Sequence, residues 1–163
     1  IMPPRKHSRK RSRKRSRKRR SSMPKHYTGK LSRKDKKSQV RELKKSQKDY
    51  KEGKYHTRKK MKSFKNKKSG WTQQFKNKYP EAKSLSQISK VTGIPKGALT
   101  AVKKKGMGAY YSSGSRPNQT AESWGLARMY AYILGSPTRK VDYHITEKYK
   151  IRFKTKSSYY SYK

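Results

Sequence analysis

The sequence predicts a mainly α fold: a small helical domain with a helix-turn-helix-like pair, preceded by a disordered basic tail. Between residues 31 and 150 apolar residues recur at three- and four-residue spacing, in segments bounded by capping residues, glycines or prolines. Charge is spread unevenly, since residues 1–30 hold 14 of the 49 Lys+Arg and none of the 8 Asp+Glu. With 28% hydrophobic residues and a formal net charge of +41, not all of the chain can be core. The domain is therefore placed at 31–150, between a tail at 1–30 and a Tyr/Ser/Lys-rich end at 151–163.

The tail carries the repeat SRKR three times, from Ser8 to Arg19. Like charges at every spacing repel in any compact form, so the segment has no reason to fold alone. Against a polyanion it tracks phosphates without reading bases. Arg9, Arg11, Arg13, Arg15, Arg17, Arg19 and Arg20 are its candidate contacts. A nuclear-localisation signal or a merely solvated tail would have the same composition. Phosphorylation of Ser8, Ser12 and Ser16 is expected to weaken the grip by adding negative charge.

The partner this charge implies is nucleic acid, DNA ahead of RNA, because a cationic chain releases the counterions condensed on phosphates. No stretch approaches the roughly 18 apolar residues of a transmembrane helix, so no membrane insertion is expected. The absence of cysteine excludes disulfide frameworks and thiolate metal sites. No apolar run follows the N-terminal charges, so no secretory signal is expected.

The first helix is predicted between Ser32, with Asp35 three residues on as in a capping box, and Gly53 as its stop. Its apolar stripe is narrow: Val40, Leu43 and Tyr50. His56, remote in sequence from other ligand types, reads as an exposed helix or loop residue. Trp71, Phe75 and Tyr79 fall at i, i+4 and i+8 on a short helix ended by Pro80; they are core or, on the functional reading, a stacking platform for unpaired bases.

Residues 84–106 have the helix-turn-helix pattern. Leu85, Ile88 and Val91 face inward; Gly93 turns the chain, Ile94 plugs the angle, and Pro95 opens a short helix with Ala98, Leu99 and Val102 inside. Lys96, Gly97, Thr100, Ala101, Lys103 and Lys104 then face outward. Of these Lys96, Thr100, Lys103 and Lys104 can meet phosphates, but no Arg, Asn or Gln on that face is able to distinguish bases. The same pair of helices serves equally well as scaffold.

In "KKGMGAYYSSGSRPNQTAESWGLARMYAYILG", Gly106, Gly108 and Gly114 are expected to turn the backbone, and Thr120 to cap a helix apolar nearly all round. The domain is expected to pack around Trp124, with Gly125 marking the close approach of a neighbouring helix. The loop from Tyr110 to Gln119 can form a phosphate cradle or close upon itself. Arg116 and Arg128 are its candidate anion contacts. Beyond Gly135, Ile145, Tyr149, Ile151 and Phe153 alternate with basic residues as a surface strand would, while residues 141–149 could equally extend as a helix.

This segment, above all GAYYSSGSRPNQTA-SWG-AR, resembles a small uncharacterised domain family of large double-stranded DNA viruses of algae and amoebae. The resemblance extends from residue 27 to residue 145, through LSRKDKKSQVRELKKSQKDYKEG upstream and VDYHI downstream. It implies a viral origin and supplies no activity. Ser112 or Ser113, His144 with Asp142, and Glu122 could supply catalytic groups, but they form no recognisable elbow, metal cluster or phosphate loop. No catalytic residue, metal site or cofactor is therefore expected.

The expected function is a non-enzymatic, highly basic nucleic-acid-binding viral protein, packaged in the virion and condensing or tethering the genome. Its places would be the virion and the host nucleus or cytoplasmic virus factory. The alternative is a minor capsid or internal virion protein whose basic arm binds acidic capsid subunits.

Overall fold

The computed structural model describes residues 23–154, which form eight helices and, among the described residues, no strand. They are α1 (Lys25–Thr28), α2 (Arg33–Lys51), α3 (Gly70–Lys78), α4 (Leu85–Thr92), α5 (Lys96–Ser112), α6 (Ala121–Ile133), α7 (Thr138–Val141) and α8 (Tyr143–Lys148). The all-helical expectation holds, and the choice between strand and helix for residues 141–149 is decided for helix.

Local chemistry fixes the ends. Ser84 and Thr120 close full capping boxes with Gln87 and Ser123, satisfying N–H groups that the first helical turn leaves without partners. Ser32 accepts from the Asp35 N–H at the head of α2. Gly93 turns the chain from α4 into α5 at φ +74°, left-handed backbone that costs glycine nothing. Ile94 beyond it is 1% exposed, plugging the angle as the sequence predicts, while Val91 faces solvent rather than the core.

Helix α5 corrects the sequence reading in length. It runs 17 residues, straight through Gly106 and Gly108, which are not turn residues. The reason is its crossing with α6: a Cβ on Gly106 would come within 2.7 Å of the Gly125 Cα, and one on Gly125 within 2.7 Å of the Lys103 carbonyl oxygen. Two facing glycines let the helices meet backbone to backbone, as Gly125 implied.

The core lies on this seam. Leu99 and Val102 from α5 and Met129, Tyr132 and Ile133 from α6 are buried with Phe75, Ile88, Ile94 and Ile145. Phe75 stacks on Tyr130 at 4.3 Å, so the aromatic stripe of α3 is core at its centre, with Trp71 and Tyr79 half-buried beside it. Trp124 is not the hub; it is half-buried on the flank of α6.

Packing continues on both sides of residues 31–150. Tyr27 of α1 packs against Gly114 and edge-on to Trp124, so order begins ahead of residue 31. Past residue 150, Phe153 lies under the Arg139 guanidinium at 3.6 Å and beside Tyr132 at 5.2 Å.

Candidate nucleic-acid interface

The glycine- and serine-rich stretch after α5 is a structural clasp. Arg58, from the irregular segment that follows α2, inserts its guanidinium between α2 and this stretch. It donates to the Tyr110 carbonyl at 2.8 Å, to Ser115 Oγ at 2.7 Å and to Ser46 Oγ at 3.3 Å, and lies 3.6 Å above the Tyr110 ring. Burial pushes its pKa down, yet a guanidinium so well supplied with acceptors stays charged. Gln39 and Gln47 of α2 donate to the carbonyls of Ser115 and Ser113, and Ser46 to that of Tyr111.

Asn118, held at φ +58°, completes the clasp by accepting from the Met61 N–H and donating to the Met61 carbonyl. The buried face of α2 is thus mainly polar, Gln39, Glu42 and Ser46 with Leu43, rather than the stripe of Val40, Leu43 and Tyr50. Of the two readings of the Tyr110–Gln119 segment, closure upon the fold accounts for Ser115 and Asn118. Arg116 is turned outward: it is exposed and makes no side-chain hydrogen bond or ion pair among the described residues.

His56 is not exposed as expected. Its Nε2 stands 2.9 Å from Glu42 Oε2, which also accepts from the Lys59 N–H at 3.2 Å. Burial alone would raise the Glu42 carboxyl, but these hydrogen bonds outweigh it and hold the group below its ordinary value. Asp35 is also held low, by two hydrogen bonds from Ser63.

Six of the eight carboxylates are engaged in this way: Asp35 by Ser63, Glu42 and Asp49 by His56, Glu52 by Lys54, Glu122 by Lys103, and Asp142 by Arg128. Asp142 is fully buried and takes a two-pronged contact from Arg128 at 2.8 and 2.9 Å, with Lys105 3.7 Å away. Residues 23–154 carry 35 Lys+Arg against these 8 acids, so most of the positive charge has no carboxylate to meet.

The sequence-predicted contacts are scattered. Arg9, Arg11, Arg13, Arg15, Arg17, Arg19 and Arg20 lie outside the described residues. On α5, Lys96 and Lys104 are exposed and Thr100 is half-buried, while Lys103 is tied to Glu122 at 2.8 Å. The Tyr149 ring covers Gly97, with atoms 3.0 Å from where a Cβ would stand, so this face of α5 is partly occupied by the end of α8. Arg128 is committed to Asp142.

What sequence reasoning missed is a cleft of about 530 Å³ between α1, α3, α6 and the residues before α6. Trp71, Trp124, Arg116, Lys67, His26 and Gln74 are on its wall, and Arg128 borders it. A second hollow of about 310 Å³ continues from it, sharing His26, Lys67, Arg116 and Gln119. No acidic residue lines either one. Trp71 and Arg116 are 45 positions apart, so no local periodicity could have joined them; the only signal was that both tryptophans have cations nearby in the sequence.

Fold and surface together define an all-helical domain of strongly cationic character with one aromatic-walled cleft. The chain belongs to the family of unknown function DUF5824, whose pattern it matches over residues 24–152. That span takes in α1 through α8, stops one residue short of Phe153 and leaves out the arginine repeat. No curated protein and no solved structure matches the chain. Among the described residues, no helix is long and apolar enough to cross a membrane.

Proposed function

We propose that this chain is a non-enzymatic nucleic-acid-binding protein of a large double-stranded DNA virus, packaged in the virion, where it condenses or tethers the genome. The observation that carries the reading is the charge balance: +41 overall, with most of the few carboxylates engaged by partners of their own. Such a surface needs a polyanion to offset its self-repulsion, and double-stranded DNA is the densest one available to a virion. The viral setting rests on the resemblance of residues 27–145, and the virion, host nucleus or virus factory are the places it suggests. The folded domain would supply position while the arginine repeat supplies reach.

The test is duplex-DNA affinity across a salt series. Its logarithm is expected to fall linearly with log salt, by about 0.9 per phosphate neutralised. Deleting residues 1–22, which hold 12 of the basic residues, should flatten that slope markedly. A flat response in the intact chain sinks the reading. Crosslinking in purified particles that joins the chain to capsid subunits, with no DNA adducts, replaces it with the minor capsid alternative.

A further inference from the structure

We propose that the cleft between α3 and α6 is a pocket for one unpaired nucleotide, its base against Trp71 and Trp124 and its phosphate against Arg116 and Lys67. The inference rests on the nucleic-acid reading and adds to it a strand state, single rather than double, and a place where that state is recognised.

The chemistry of the wall carries it. Both tryptophans of the chain line this one cleft, although α3 and α6 lie some fifty residues apart in sequence. Each is half-buried rather than absorbed into the core, which leaves ring surface toward the hollow. Indole faces are stacking platforms for any base, whatever its sequence. Around them stand cations and amides without a single carboxylate. Arg116 and Lys67 are exposed at the junction of the two hollows, and neither side chain has an ion-pair partner among the described residues.

Size and shape separate this site from ordinary backbone contact. A hollow of about 530 Å³ holds a base with its sugar, and the adjoining 310 Å³ leaves room for a neighbouring phosphate. A base still paired in a duplex cannot enter a concave site, so occupancy requires an unpaired or flipped-out nucleotide. Amides at Gln74 and Gln119 offer hydrogen-bonding groups to the base edge. Gln119 Oε1 is already taken by Ser123, leaving its NH₂ as the donor.

The protein reports on this site by itself, since its two tryptophans are both in the cleft and their emission can be excited apart from tyrosine. The full chain is titrated with an oligothymidylate, an oligouridylate, a duplex of equal length, thymidine monophosphate and an acidic peptide. Both single strands are expected to quench the emission. Thymidine monophosphate should quench weakly, the duplex and the acidic peptide not at all.

Trp71→Ala, and Arg116→Ala combined with Lys67→Ala, should each lower single-strand affinity about tenfold, with duplex affinity unchanged in the first and much less reduced in the second. Trp71→Phe should restore it, and circular dichroism should show both alanine variants still helical. If Trp71→Ala does not fold, the Arg116/Lys67 pair, exposed and outside the core, decides the matter. Equal quenching by single strand and duplex, strand binding without any change in emission, or quenching by the acidic peptide alone would overturn the pocket. Failure of every nucleic acid to bind would instead remove the broader reading.

Discussion

The seam of α5 with α6 and the clasp of α2 are two solutions to one problem, the attachment of a helix to its neighbour. At the seam, glycines remove side chains so that backbones touch and Leu99, Val102 and Met129 fill the flanks, each fully buried. At the clasp, a helix of 19 residues with nine lysines and arginines and little apolar surface is held by Arg58, Gln39, Gln47 and Ser46 bonded to carbonyls and hydroxyls across the gap. Packing is non-directional and tolerates small shifts; a hydrogen-bonded network fails as a unit, because a partner left behind in the interior keeps its desolvation cost.

The largest effect is expected from overfilling the seam. Gly125→Ala should cost about 3 kcal/mol in chemical denaturation, because the new methyl meets the Lys103 carbonyl, which is backbone and cannot rotate away. The loss should be global, every probe falling together. Arg58→Ala should cost about 2 kcal/mol and behave differently: amides of α2 should lose protection from hydrogen exchange ahead of those of α5 and α6. Arg58→Lys should rescue little, since an ammonium lacks the fork that reaches three acceptors. Simultaneous loss across all helices in Arg58→Ala would erase the distinction between the two attachments.

Smaller effects sharpen it. Ser84→Ala removes the capping box of α4 and should cost about 1 kcal/mol, read as a lowered melting temperature. The clasp should also carry an acid sensitivity. The Glu42 carboxyl is lower in the folded protein than in the unfolded chain. Its contribution is thus fully present above the ordinary glutamate value and is lost as pH falls through the folded one. Glu42→Gln should flatten this part of the stability profile below neutral pH, measured by denaturant midpoints across a pH series.

The two regions also differ in how far they could be read from sequence. The seam and the turn before it were legible in large part: Gly93, Ile94, Thr120 and the apolar girdle of α6 each stand where periodicity and capping chemistry put them. Gly106 and Gly108 misled, because glycine is both a turn residue and a close-packing residue, and only the facing Gly125 tells which. The clasp was illegible for a physical reason. Its anchor, Arg58, sits among Lys54, Lys59, Lys60 and Lys62, and nothing local separates a buried guanidinium from solvated cations. His56 was misjudged likewise, since Glu42, its partner on α2, precedes it by 14 residues.

The cleft lies between these cases. The spacing of Trp71, Phe75 and Tyr79 announced a helix face, and the structure places its middle ring in the core while leaving the first on the rim of a hollow. That assignment depends on how α3 lies against α6, a long-range fact that no window along the chain contains.

The glycine contact between α5 and α6 has one more consequence. Helix α6 turns Gly125 toward α5 and Trp124 and Ala127 toward the cleft, and its backbone meets that of α5 directly at the crossing. Lys96 and Lys104 on the first of these helices are thereby kept at a fixed offset from the hollow beside the second. On the proposed reading, a strand held at both places would have to span that gap, as an object does the jaws of a caliper.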